Sequence, residues 1–120
     1  MTINEYQELA MKTVNTSLSK DEILINSVMG LCGESGEAID IVKKWFAHGH
    51  ELNKEALIKE LGDIAWYLAE AATALDVPLE QIFQGKLRSI QRISLIPALF
   101  RETSTRIGAL LSSPPENCPT

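Results

Sequence analysis

Two acids stand three residues apart at Glu34 and Glu37 in "GESGEAIDIVKKW", and a second pair, Glu60 and Asp63, stands in "KELGDIAWYL". In a helix a spacing of three keeps side chains on one face, so each pair aims its carboxylates at a common region. Four carboxylates gathered together repel or take up protons unless something positive lies between them. An all-oxygen donor set suits a hard divalent ion, Mg²⁺ first and Mn²⁺ as its substitute. Di-iron bundles use a Glu-x-x-His element instead, and neither His48 nor His50 stands three residues after any of these acids.

The helical wheel makes the placement sharper. With Glu34 at zero and about 100° per residue, Ile41, Trp45, Ala38, Leu31 and Val42 fall between about 340° and 80°, so Glu34 lies within an apolar arc. Glu37 lies at the edge of that arc, beside Lys44. With Glu60 at zero, Tyr67, Ala71, Ile64, Leu57, Leu75 and Leu68 fall in the same arc of about 340° to 80°, and Asp63 lies at its edge. Acids that served only solubility would fall opposite the apolar arc. The plainer alternative makes them exposed helix acids or partners of Lys43, Lys44 and Lys59.

Such a site needs two helices side by side, and the chain carries the signals for them. Thr2 with Glu5, and Ser19 with Glu22, read as capping boxes that open a first helix to about Val14 and a second to about Ala47. Gly49 is placed to end the second, Asn53 to cap a third reaching about Leu75, and Pro78 suits the first turn of a fourth from about Val77 to Gln91. Strand signals are missing. The expected fold is all-α, an antiparallel bundle of about four helices completed by homo-oligomerisation, because Leu and Ala recur on the third helix beyond what one neighbour would cover. Residues 1–92 form the expected domain, and 93–120, with Pro97, Gly108 and "SSPPENCPT", a divergent and partly disordered segment.

Composition narrows the function classes. At 120 residues and 45% apolar the chain fits one domain, and a net charge of −5 argues against a nucleic-acid partner, which needs clustered basic residues. No apolar run approaches the roughly 20 residues of a membrane span, the opening "MTINEYQE" is unlike a secretory signal, and two cysteines make no pairing framework. A cytoplasmic location is expected.

Taken together, "NEYQELA", "GESGEAIDIVKKW" and "KELGDIAWYLAEAATALDVPLEQI" resemble the MazG-like family of nucleotide pyrophosphohydrolases, over roughly residues 4–87. The resemblance implies an all-α homodimer or dimer of dimers that binds Mg²⁺ and hydrolyses nucleoside triphosphates to monophosphate and pyrophosphate. It implies Glu34, Glu37, Glu60 and Asp63 as metal ligands, with Tyr67 and Lys86 on the substrate phosphates. Glu37 or Glu34 would then also take a proton from the attacking water. Past Lys86 the family continues with an asparagine and an Arg-Tyr-Pro stretch, whereas this chain reads "KLRSIQRISLIP", with Ile90 near the asparagine's place.

Other residues receive two readings each. Trp66, Trp45 and Tyr6 are stacking surfaces for a base or core aromatics. Lys43 and Lys44 attract phosphates or complement a helix C-terminus, and Lys44 is favoured as substrate-binding because it shares the face of Glu37. His48 and His50 are read as incidental, and Cys32 as a packed small side chain. The competing function is a non-catalytic helical oligomerisation or regulatory module that keeps a metal-binding acid cluster.

Overall fold

The computed structural model describes residues 1–94. Among these the chain is all-α, with helices α1 (Ile3–Met11), α2 (Lys20–His48), α3 (Lys54–Ala74) and α4 (Leu79–Ser94). Met1–Phe83 forms one compact unit, and residues from Gln84 onward belong to another. The expected segment 93–120 lies outside the described residues from 95 on. No described helix is long and apolar enough to cross a membrane.

The helix ends follow from local chemistry. The Thr2 hydroxyl accepts from the Glu5 amide at 3.1 Å. At α2 the Ser19 and Glu22 side chains each accept from the other residue's amide, a complete capping box. Gly49 closes α2 in the left-handed region at φ 69°, where a side chain would be strained. Asn53 caps α3 by accepting from the Ala56 amide at 3.1 Å.

Boundaries depart from expectation at α1 and α4, whereas α3 ends within one residue of it. α1 stops at Met11 rather than near Val14, because the Ala10 carbonyl, which would serve a continuing helix, accepts instead from the Thr13 amide, the Thr13 hydroxyl and the Trp66 indole. α3 ends at Ala74, where Asp76 turns left-handed at φ 57° and the amides of Asp76 and Val77 reach back to the Thr73 and Ala72 carbonyls. Asp76 also pairs with Lys20. Pro78 consequently stands just before α4, its carbonyl accepting from the Gln81 amide at 2.9 Å.

α3 is the central element, with α2 on one side and α1 on the other. Against α1 it presents Ala69 and Ala72, which with Ala10 and Leu79 form a buried cluster edged by Tyr6, Met11, Trp66 and Ile82. Small side chains let the two helices approach closely, and two polar side chains then fix them. Trp66 donates its indole N–H to the Ala10 carbonyl and Thr13 hydroxyl at 3.2 and 2.9 Å. Gln7 donates to Thr73 and Val77 and accepts from the Leu79 amide at 2.7 Å, holding the α3–α4 turn against α1. The alanines of α3 are thus covered within the chain, whereas Ile58, Leu61 and Leu75 remain exposed.

The α2–α3 seam is antiparallel and carries polar residues at one end and acids at the other. Asn26 Nδ2 donates to Glu70 Oε1 at 3.2 Å. One turn along, the Tyr67 ring lies over Gly30, and a further turn brings Glu34 to Glu60. Glu70 is only 1% exposed, and its Oε2 is buried without a partner. Glu70→Ala is expected to cost about 2–3 kcal/mol, because it removes packed atoms and strands the Asn26 amide. Glu70→Gln keeps the acceptor for Asn26 and should cost less than half as much in denaturant titration.

The outer side of α2 is also rich in apolar residues, and no described helix covers it. Ile25, Val28, Met29, Ile39 and Phe46 are all at least half exposed, and Cys32 is exposed too. The expectation of a packed Cys32 is therefore corrected: it lies on an apolar face, but on the one that no other described helix covers. Trp45, expected within the covered arc, is 46% exposed at the end of α2, where it meets Phe46.

Candidate metal centre

The acids meet because the seam register puts the middle of α2 beside the first half of α3. One carboxylate oxygen from each of Glu34, Glu37 and Glu60 lies within 4.8 Å of the others. Opposed ligands across a Mg²⁺ ion stand about 4.2 Å apart, so a small side-chain movement would bring the three oxygens into one coordination sphere. Glu60 is buried at 8% exposure, Glu34 is half-buried and Glu37 exposed, so the group runs from the seam to a surface cleft. That cleft, about 470 Å³, is lined by Gly33, Gly36, Glu37, Asp40, Ile41 and Glu60.

Among the described residues no basic or amide donor reaches the innermost oxygens: Glu34 Oε2 and Glu60 Oε2 are both buried without such a partner. Buried carboxylate oxygens are costly in that condition, and a divalent cation is a group that would satisfy both. The donor set is all oxygen, which fits Mg²⁺ or Mn²⁺.

The fourth expected ligand stands apart. Asp63 is not within the three-acid group; its Oδ2 is 2.9 Å from Lys59 Nζ, which also lies 3.5 Å from Glu60 Oε1. This ion pair holds the Lys59 ammonium above its usual range, first through the hydrogen bond to Asp63. Asp63 still lies near enough for its charge to act on Glu34 and on Tyr6, whose phenol is raised first by burial and then by Asp63.

Glu34 is held above the usual carboxyl range, first by the adjacent Glu60 carboxyl, which is placed to share a proton with it. Burial and the charges of Glu37, Asp63 and Glu60 add to this. Between the ordinary carboxyl pKa and the raised one, the folded chain binds more protons than the unfolded chain, so stability falls as pH rises through that window. In metal-free buffer the thermal midpoint should therefore carry a downward contribution above the ordinary carboxyl range. Repeating the pH series in millimolar Mg²⁺ is expected to remove that contribution.

The other residues singled out by sequence are distributed around this group. Lys44 pairs with Asp40 at 2.9 Å, which lowers the Asp40 carboxyl, and it lines a neighbouring cleft of about 380 Å³ with Ile41, His50, Glu51, Asn53 and Ala56. Tyr67 is half-buried one turn from the acids, packed edge-on to Trp66 at 5.1 Å. Trp66 is turned toward α1 and its N–H is committed there, so packing accounts for it. Lys86 is an exposed residue of α4 in the second unit.

Two residues of the seam escaped the sequence reading. Glu70 falls at about 280° on the α3 wheel, next to Asp63, and that position was its available signal. Gly30 stands four residues before Glu34, and only the structure reveals the aromatic ring against it.

Comparison with known proteins adds one relative and no family. No family model matches the chain, and no solved structure matches it. Over 67 residues it is 40% identical to the Gene 37 protein of Mycobacterium phage L5, an alignment covering 52% of this chain and 59% of that protein. The chain thus spans about three-fifths of the length of the curated relative it matches.

Proposed function

We propose that this all-α chain is a divalent-cation-binding protein whose cation serves nucleoside triphosphate hydrolysis to monophosphate and pyrophosphate, in the manner of the MazG-like enzymes its motifs resemble. The observation that carries the metal reading is the pair of buried, unpartnered oxygens on Glu34 and Glu60, beside the exposed carboxylate of Glu37. The step to hydrolysis rests on the sequence resemblance.

In this reading Glu34, Glu37 and Glu60 hold Mg²⁺, and Asp63 joins them once it leaves Lys59. When bound, the cation would neutralise phosphate charge and acidify a water. Glu37, the exposed member, would also accept a proton from the attacking water. Lys44 and Tyr67 face the phosphates, and the assembly is a homodimer or dimer of dimers, located in the cytoplasm.

A second reading has specific support: the acids form a metal-binding site in a helical module without turnover. Asp63 is tied to Lys59 rather than gathered with the other three, and the motif departs from the family after Lys86. Incubation with a panel of nucleoside triphosphates and Mg²⁺ separates the two. Pyrophosphate release that requires the metal supports the enzyme, whereas calorimetric Mg²⁺ or Mn²⁺ binding without release from any nucleotide supports the module. If neither ion binds, both readings fall.

A further inference from the structure

On the face of α2 that no described helix covers, residue types pair up about the middle of the helix. At about 100° per residue, Asp21, Ile25, Val28, Cys32, Gly36, Ile39 and Lys43 lie within an arc of about 100°, on the side of the helix away from Glu34. Their positions mirror one another about Cys32: Val28 and Gly36 lie four residues to either side, Ile25 and Ile39 seven, Asp21 and Lys43 eleven.

We infer that this face is the contact between two copies of the chain, paired antiparallel across a two-fold axis that passes beside Cys32. A two-fold interface sets residue i of one copy against residue j of the other, and j against i. In this register Ile25 meets the second copy's Ile39, Val28 meets Gly36, Asp21 meets Lys43, and Cys32 meets its own counterpart. Every contact is apolar against apolar, large against small, or opposite in charge.

Three observations select a second copy as the occupant. Among the described residues neither Asp21 nor Lys43 takes part in an ion pair within its own chain. A Cβ added at Gly36 would meet nothing within 4 Å, so the fold of one chain gives no packing reason for a glycine that weakens the helix interior. The Val28 of a second copy supplies that reason. Finally, the exposed apolar side chains of this face, together with Met29 and Phe46 at its edges, present on the order of 700 Å², close to the roughly 800 Å² per partner of a standard interface.

The pairing also bears on the acid cleft. Gly36 belongs both to this face and to the lining of the cleft that holds Glu37 and Glu60, so the second copy's helix runs along the rim of the cleft. The inference rests only on the self-association included in the function proposed above, and not on its chemistry.

The test uses the full chain carrying Cys118→Ser, with sedimentation at micromolar concentration and mild copper-phenanthroline oxidation. The expected results are a dimer mass and a Cys32–Cys32 cross-link identified by peptide mass spectrometry. Asp21→Lys and Lys43→Asp, each checked for helicity by circular dichroism, should weaken the dimer about tenfold, and the double variant should recover to within about threefold. A dimer without the cross-link and indifferent to these charge reversals would place the interface elsewhere and overturn the inference while leaving self-association intact. A monomer at these concentrations would overturn both.

Discussion

Replacing Glu60 by glutamine is expected to abolish metal-dependent pyrophosphate release, by at least about 100-fold, and at the same time to raise the thermal midpoint of the metal-free protein. The two effects have opposite signs for one reason. Glu60 is the deepest member of the acid group, with one oxygen unpartnered and two further carboxylates within 4.8 Å. Without a cation that arrangement opposes folding, and an isosteric neutral amide relieves a repulsion worth on the order of 1 kcal/mol, about 4–8 °C in a small domain. With a cation the same carboxylate is a ligand, so the wild type should gain more from Mg²⁺ than Glu60→Gln does. Paired thermal scans with and without Mg²⁺, run beside the pyrophosphate assay, measure both quantities. If the variant is less stable than wild type without metal, the acids are not in mutual repulsion and the metal reading loses its footing.

Gly30→Ala should be the most destabilising small substitution in the α2–α3 seam, by about 2–3 kcal/mol. The new methyl would stand 2.2 to 2.5 Å from the Cε1, Cδ1 and Cζ atoms of Tyr67, well inside van der Waals contact. The ring cannot simply turn aside, because Trp66 packs against its edge at 5.1 Å and both helices hold it in place. Shortening the ring makes room, so Tyr67→Leu combined with Gly30→Ala should lose much less than the two single changes added together. A double-mutant cycle in denaturant should return a coupling of at least about 1 kcal/mol. Additive losses would mean that the methyl is accommodated by backbone movement and that the contact does not set the seam.

Much of the fold was legible because its helix ends are marked by side chains that can act in only a few ways. Thr2, Ser19, Gly49 and Asn53 each do at a helix end what their chemistry suggests. Glu34 and Glu60 could be found because a carboxylate inside an apolar arc breaks the pattern around it. Glu70 broke the pattern less, lying at the edge of the arc, and its burial depends on Asn26 arriving from another helix. The separation of Asp63 from the other acids was not legible, since Lys59 competes for it one helical turn away and a wheel does not rank competing partners. Cys32 was misplaced for a related reason: periodicity identifies an apolar face but not whether anything covers it. Gln7 carried no sequence signal at all, because its three hydrogen bonds reach a turn about seventy residues distant.

The connection between α2 and α3 is stopped independently at both ends, by the left-handed Gly49 and by the Asn53 cap. Neither helix therefore inherits its rotation from the few residues between them. An insertion among residues 50–52 would enlarge a surface loop at small entropic cost and leave the opposed acids where they are. A single residue gained or lost between Asn26 and Glu34 would instead turn the rest of α2 by about 100° and carry its acids out of the seam. Length variation among descendants of this chain should accordingly gather in the loop and spare the interior of the two helices.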